Sequence, residues 1–164
     1  MIVIAYGANL DSRYGNPVQT FDAVQDEFKN RDLSIILKSD LYDTSPVGTT
    51  DDQPSYTNAV MAIETDLNPH DLLKALLDIE SCIGRVRTYQ NAPRPVDLDL
   101  IDYHGRIIND EPDLILPHPR MHDRKFVLVP LAQIIHDWGH PALGLTVDDL
   151  IARAPTDQRI KNIS

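Results

Sequence analysis

Two Asn-Pro pairs, at residues 16–17 and 68–69, most constrain what this chain can fold into. Proline is tolerated at the first helical position, where an N–H has no intrahelical partner anyway, and a preceding asparagine can accept from the donors of the first turn. Behind the first pair, Phe21, Val24 and Phe28 share one face, so a helix is expected to about residue 30. Behind the second, with Asp71 in the first turn, Leu72, Leu76, Ile79 and Ile83 share a face up to Gly84, a natural helix end.

Around these helices lie apolar segments that read as strands, at residues 2–6 ending on Gly7, 34–42, 56–65 and 95–103. The last begins on Pro95, where a strand tolerates proline. A turn-rich loop, DTSPVGTTDDQPS, separates the second and third. The order is βαββαβ, an α+β, ferredoxin-like core with a mainly antiparallel sheet and two helices on one face. From residue 107 onward the chain reads as a proline-studded loop, a short helix over 122–128, and a last helix capped by Thr146 with Asp149 at the capping-box position. These can cover the sheet's other face.

The 164 residues suit one ordinary domain, expected to span 1–164. A single cysteine, Cys82, can form no internal bridge and fits a reducing cytoplasm, where it is expected as a small buried filler on the second helix. The N-terminal apolar run is short and has no preceding Lys or Arg, so neither signal peptide nor membrane anchor is expected. A net charge of −10 argues against nucleic-acid binding, which rests on neutralising phosphates. Yet Arg85, Arg87 and Arg94 crowd into ten residues just before Asp97 and Asp99. Basic residues beside acids suit a small polyanion carrying metal.

On a strand, Asp97 and Asp99 project to one face while Val96, Leu98 and Leu100 point to the other. Carboxylates about 6–7 Å apart repel by roughly 2.5 kcal/mol at an effective dielectric of about 20, before desolvation. Something positive must offset that. Mg²⁺ suits, because it prefers carboxylate oxygen and is shared between one or two acids and substrate phosphates. Two such ions could clamp a phosphoryl group in transit. The plainer alternatives are a solvated strand face or pairing with the nearby arginines. His118 and His122 stand four apart, but Pro119 breaks a helical face between them, so zinc is not expected. His136 and His140 flank Trp138 in an expected surface or packing role.

The run APRPVDLDLI resembles the signature of the 6-hydroxymethyl-7,8-dihydropterin pyrophosphokinase family of folate biosynthesis. YGANL, YDTSPVGTTDDQPSYTNAV, IESCIGRVR and LPHPRMHDRKFVLVPL resemble further family segments in the family's order, over most of residues 2–135. The resemblance implies a three-layer α-β-α fold and transfer of pyrophosphate from ATP to the pterin's hydroxymethyl group, releasing AMP. It further implies that Asp97 and Asp99 ligate two Mg²⁺ ions, that Arg85 and Arg94 act on the transferring group, and that Arg87, His118 and Arg124 contact ATP. Thr44, Val47, Tyr56, Asn58 and Phe126 are implied for the pterin. Asn58, which both donates and accepts, fits the edge of such a ring, and Tyr56 points to the same face. The implied partners are ATP and the pterin, with no nucleic acid or membrane, for a monomer in the cytoplasm.

Some positions depart from the family's pattern. The loop TYQNAPR lacks the tryptophan that closes over the pterin in relatives, the only tryptophan being Trp138, and is about one residue short. Either Tyr89 replaces it as an aromatic lid, or Gln90 and Asn91 close the site through polar contacts. Ala8 stands where many relatives have serine, while Asn9 remains to bond the site loops. Asp113 and Ile115 are unlike the basic and hydroxyl residues expected around the ribose. Two rivals stay open: a non-catalytic pterin- or nucleotide-binding relative, and an RNA-binding ferredoxin-like module, which would need exposed aromatics and basic residues on its middle strands.

Overall fold

The computed structural model describes all 164 residues. Its elements run β1 (Ile2–Ala8), α1 (Pro17–Asn30), β2 (Ser34–Lys38), β3 (Tyr42–Thr44), β4 (Tyr56–Glu64), α2 (Pro69–Ile83), β5 (Asp97–Tyr103), β6 (Ile108–Asp110), β7 (Leu114–Leu116), α3 (Lys125–Ile134), α4 (Val147–Arg153) and β8 (Ile160–Asn162). Both Asn-Pro starts form as expected. Asn16 accepts from the Gln19 N–H at 3.0 Å while Gln19 accepts from the Asn16 N–H at 2.9 Å, and Asn68 accepts from the Asp71 N–H at 3.0 Å. Helix α2 stops at Gly84, which takes φ 114° and donates to the Glu80 carbonyl. Thr146 and Asp149 close a capping box on α4.

The main sheet has the order β5-β1-β4-β3-β8, with β2 also on β4, and every pairing is antiparallel. Side chains sort by alternation. Ile2, Ile4, Tyr6, Ala59, Met61, Ile63, Leu98 and Leu100 pack beneath α1 and α2 against Phe21, Phe28, Leu72 and Leu76. Val3, Ala5, Val60 and Ile101 face the other way, onto α3 and α4 through Val127, Leu128, Leu131, Val147 and Leu150. Helices on both faces make the expected three layers. No helix is long and apolar enough to cross a membrane.

Several expected boundaries move. The segment 34–42 is two strands, because Ser39 interrupts it: its N–H donates to the Val60 carbonyl and its hydroxyl accepts from the Val60 N–H, both at 2.9 Å. Gly7 does not end the first strand but sits within it. The proline-studded loop contains the hairpin β6-β7, whose Leu114 and Leu116 are buried in the first core. A single 3-10 turn, Met121–Asp123, precedes α3, and α3 continues through Pro130 to Ile134. A proline inside a helix costs about 3 kcal/mol. Burial of Val127, Leu128, Pro130 and Leu131 against the sheet offsets it. Cys82 is exposed, not a buried filler; α2 buries Ile79, Glu80 and Ile83 instead.

A bulge in β5 sets a third aspartate. Ile4 pairs with Leu100 and Val3 with Asp102, so Ile101 is the extra residue and Asp102 turns toward the α3–α4 side. There Asp102, 5% exposed, accepts from the Trp138 indole N–H and the Gly105 N–H, each at 3.0 Å. Trp138 and His140 are buried, so their role is packing. Replacing Trp138 with Phe leaves Asp102 short of a donor, and is expected to lower the unfolding free energy in urea by about 1–3 kcal/mol.

Candidate active site

Three strands form the floor on the α3–α4 side of the sheet. Gly7 of β1 lies between Asp97 of β5 and Asn58 of β4, and Ala5 faces Asp99. A Cβ on Gly7 would meet Asn58 Oδ1 at 2.9 Å, so glycine is what lets Asn58 lie across the floor. Asn58 donates to the Thr44 hydroxyl at 2.5 Å and keeps its carbonyl oxygen.

Two clefts open above this floor. The first, about 490 Å³ of atom-free space out to its mouth, is lined by Gly7, Thr44, Val47, Tyr56, Asn58 and Phe126 among others. The second, about 830 Å³, is lined by Arg85, Arg87, Arg120 and the loop from Thr88 to Pro93. They share Asn91, Arg94, Asp97, Asp99 and Arg124. One slot is aromatic and polar-edged, the other is cationic, and the carboxylate pair stands at their junction.

Asp97 is held by two guanidinium groups, from Arg85 at 2.5 Å and Arg94 at 2.6 Å. Burial pushes its carboxyl up, but Arg94 and then Arg85 outweigh burial and hold it below the usual carboxylate range. The pairing alternative raised by the sequence is therefore realised for Asp97. Asp99 differs. Its nearest cation, Arg124 Nη1, and the His118 ring are each 3.9 Å away. Burial, then the Asp97 charge, push its carboxyl up to about 7. Burial, with Arg124 and Arg120, pulls His118 down to about 4, so it faces Asp99 as a neutral ring rather than an ion-pair partner. Arg94 also bonds the Tyr56 hydroxyl at 3.0 Å and stacks 5.1 Å over its ring, yet its Nε is a buried donor without a partner.

The arginines are themselves anchored. Glu80, 3% exposed, accepts from Arg85 at 2.9 Å, Arg87 at 2.9 Å and the Leu98 N–H at 2.8 Å. Sequence reasoning missed Glu80, though its place four residues after Leu76, on the apolar stripe of α2, marks it. Arg120, a wall of the cationic cleft, was also missed and carries no local signal. Every expected site residue is brought to this region except that His118 lines neither cleft, standing only beside Asp99. Asp113 and Ile115 lie away, on the hairpin turn and β7.

Two loops lean together over the slot. Asn9 accepts from the Arg94 N–H at 2.9 Å and donates to Gln53 at 3.1 Å. Gln53 donates to the Asn91 carbonyl at 2.9 Å, and Asn91 to the Gly48 carbonyl at 2.9 Å. Tyr89, 60% exposed, donates to Asp51 at 2.8 Å and does not line the aromatic slot. Of the two expected closures, the polar one through Asn91 is present.

The sequence profile of the 7,8-dihydro-6-hydroxymethylpterin-pyrophosphokinase family matches residues 3–136. The chain belongs to that family. Among relatives, the 2-amino-4-hydroxy-6-hydroxymethyldihydropteridine pyrophosphokinase of Haemophilus influenzae is 40% identical over 135 residues, covering 82% of this chain and 81% of that protein. The folic acid synthesis protein FOL1 of Dictyostelium discoideum is 37% identical over 163 residues, 99% of this chain but 24% of that protein. The chain thus spans only a quarter of that longer relative. The Plasmodium falciparum HPPK-DHPS crystal structure overlays with a TM-score of 0.73 at 15% identity, over 93% of this chain and 44% of that one, which shows the shared fold.

With no metal bound, the raised Asp99 carboxyl makes folding stability depend on pH. Below about pH 4 Asp99 is neutral whether folded or unfolded; between about pH 4 and 7 the unfolded chain releases its proton first, so stability falls as pH rises. Asp99→Asn removes that loss. In urea titrations with chelator present, it is expected to stabilise the chain by up to about 4 kcal/mol at pH 8 and to have little effect at pH 4.

Proposed function

We propose that this chain transfers the pyrophosphoryl group of ATP to the hydroxymethyl oxygen of 6-hydroxymethyl-7,8-dihydropterin, a step in folate biosynthesis. The observation that carries the proposal is the meeting of an aromatic, polar-edged slot and an arginine-lined cleft at Asp97, Asp99, Arg94 and Arg124. Two different ligands can lie there with their reacting ends together. Membership in the family supports the same assignment.

The pterin would lie against Tyr56, Phe126 and Val47, with Asn58 and Thr44 at its edge. The polyphosphate would run along Arg85, Arg87, Arg94 and Arg124, with His118 behind Asp99. The hydroxymethyl oxygen attacks the β-phosphorus, the bond from that phosphorus to the bridging oxygen of the α-phosphate breaks, and AMP leaves with that oxygen. The hydroxyl proton is released. Positioning and charge stabilisation are the protein's part, since no covalent intermediate is needed. The paired arginines leave Asp97 too acidic to serve well as the proton acceptor.

Two carboxylates on one face are the hard-oxygen donors that Mg²⁺ takes, and Asp99, with Arg124 at 3.9 Å and no hydrogen-bonded cation, is suited to receive one. No third His, Cys, Asp or Glu joins them in a metal-binding group, so phosphate oxygens and water would complete the shell of two Mg²⁺ ions. Bound there, Mg²⁺ would neutralise charge on the polyphosphate. The same proposal has residues 1–164 acting as a single domain and monomer in the cytoplasm, with no nucleic-acid or membrane partner; a net charge of −10 speaks against a nucleic-acid partner, and one cysteine suits a reducing compartment.

AMP release from ATP and Mg²⁺ is expected only when the pterin is present, and Asp97→Ala is expected to lower its rate at least about a hundredfold. Binding of both ligands without AMP would sink the catalytic assignment and favour a binding protein. Removing divalent ions with EDTA is expected to abolish release, and added Mg²⁺ to restore it, followed by chromatography of AMP.

A further inference from the structure

The family match ends at residue 136, but the chain returns to the pterin slot after it. Strand β8 adds to the sheet edge on β3, pairing Ile160 with Thr44, Lys161 with Asp43 and Asn162 with Tyr42. Just before β8, two consecutive side chains diverge. Arg159 donates to Asp43 Oδ2 at 2.8 Å and to the Ser55 hydroxyl at 2.9 Å, while its backbone N–H meets the Ser45 hydroxyl at 3.1 Å and its carbonyl accepts from the Ser45 N–H at 3.1 Å. Asp43 on β3 and Ser55 just before β4 flank the loop that carries Val47 and leads into Tyr56. Arg159 therefore clasps that loop at its base.

Gln158 reaches the opposite wall. Its amide nitrogen donates to the Asp123 carbonyl at 2.6 Å and its oxygen accepts from the Lys125 N–H at 2.9 Å. These groups bracket Arg124, and Phe126 follows. The first turn of α3 has no side-chain cap of its own, so Gln158 satisfies one of its orphan donors from a distant part of the chain. Arg124 and Phe126 thus take their position from a contact that the family-matched segment does not supply.

We propose that the C-terminal segment is a brace for the slot, with Gln158 and Arg159 as positioning residues for the two walls between which the pterin lies. The proposal rests on the pyrophosphokinase assignment above. Neither residue lines a cleft, so each acts through the residues it holds. The exposed Arg159–Asp43 ion pair adds little stability. Its effect falls on geometry, where a displacement of about 1 Å can cost much of a rate.

The two contacts differ in what they hold, which makes the test selective. Arg159 holds only the pterin-side loop, whereas Gln158 holds Arg124, which lines both clefts. In the full-length chain, Arg159→Ala is expected to raise the KM for the pterin about five- to tenfold and leave that for ATP within about twofold. Arg159→Lys should recover part of the loss, and Gln158→Ala should raise both KM values. Equal changes in both KM values for Arg159→Ala, or none, overturn the brace. Amide hydrogen exchange gives an answer that does not depend on turnover. Faster exchange confined to residues 44–55 in Arg159→Ala and to 122–127 in Gln158→Ala supports the brace, and unchanged exchange there overturns it. A wild-type chain that makes no pterin-dependent AMP overturns the catalytic assignment alone, since exchange still decides whether the tail holds the walls.

Discussion

The site depends on a chain of alternating charges, Glu80–Arg85–Asp97–Arg94, set into the wall of the protein. A charge taken out of water is costly unless paired and hydrogen-bonded, so each member here is tolerable only because of its neighbours. Glu80 is buried on the core-facing side of α2 and binds the Leu98 N–H beside Asp97. Helix α2, the arginine loop and β5 are therefore tied at one point. The same pairing keeps Asp97 ionised and leaves Asp99, one pleat along, without a close cation. That imbalance leaves one carboxylate neutralised by the protein and the other in want of a counter-charge.

Strand geometry does the rest of the placing. With β1 between β4 and β5, one glycine separates an aspartate from an asparagine, so a carboxylate and a carboxamide share one floor without a side chain between them. The bulge at Ile101 then ends the acidic row, turning Asp102 under Trp138, where two donors satisfy it structurally. Three aspartates in DLDLID thus take three environments: paired with arginines, short of cations, and capped by N–H donors. Closure over the floor is polar. Asn9, Gln53 and Asn91 link the end of β1 to both loops, and the aromatic Tyr89 stands outside the slot.

Much of this was legible in the residues. The Asn-Pro starts and the spacing of Leu72, Leu76, Ile79 and Ile83 specify helices because capping and periodicity are local. Alternation put Asp97 with Asp99 and Tyr56 with Asn58 for the same reason. What escaped depended on contacts made elsewhere. Ser39 splits a strand by bonding Val60, Pro130 is carried inside a helix by packing on the sheet, and three-residue strands such as β6, β7 and β8 exist only because a partner edge is present. Cys82 looked buried by type yet lies on the outer side of α2.

By itself the sequence determined the strand and helix order of the ferredoxin-like core apart from the split at Ser39, the two capped helices, the shared face of the carboxylates and the family, since each rests on neighbours in the chain or on motifs read in order. Tertiary structure alone decided that Glu80 anchors the arginines, that Asp97 and Asp99 ionise differently, that Asn91 rather than Tyr89 closes the slot, and that Gln158 and Arg159 grip its walls. Those outcomes depend on distances between residues far apart in sequence and on how much water each charge loses, and neither quantity exists until the chain has folded.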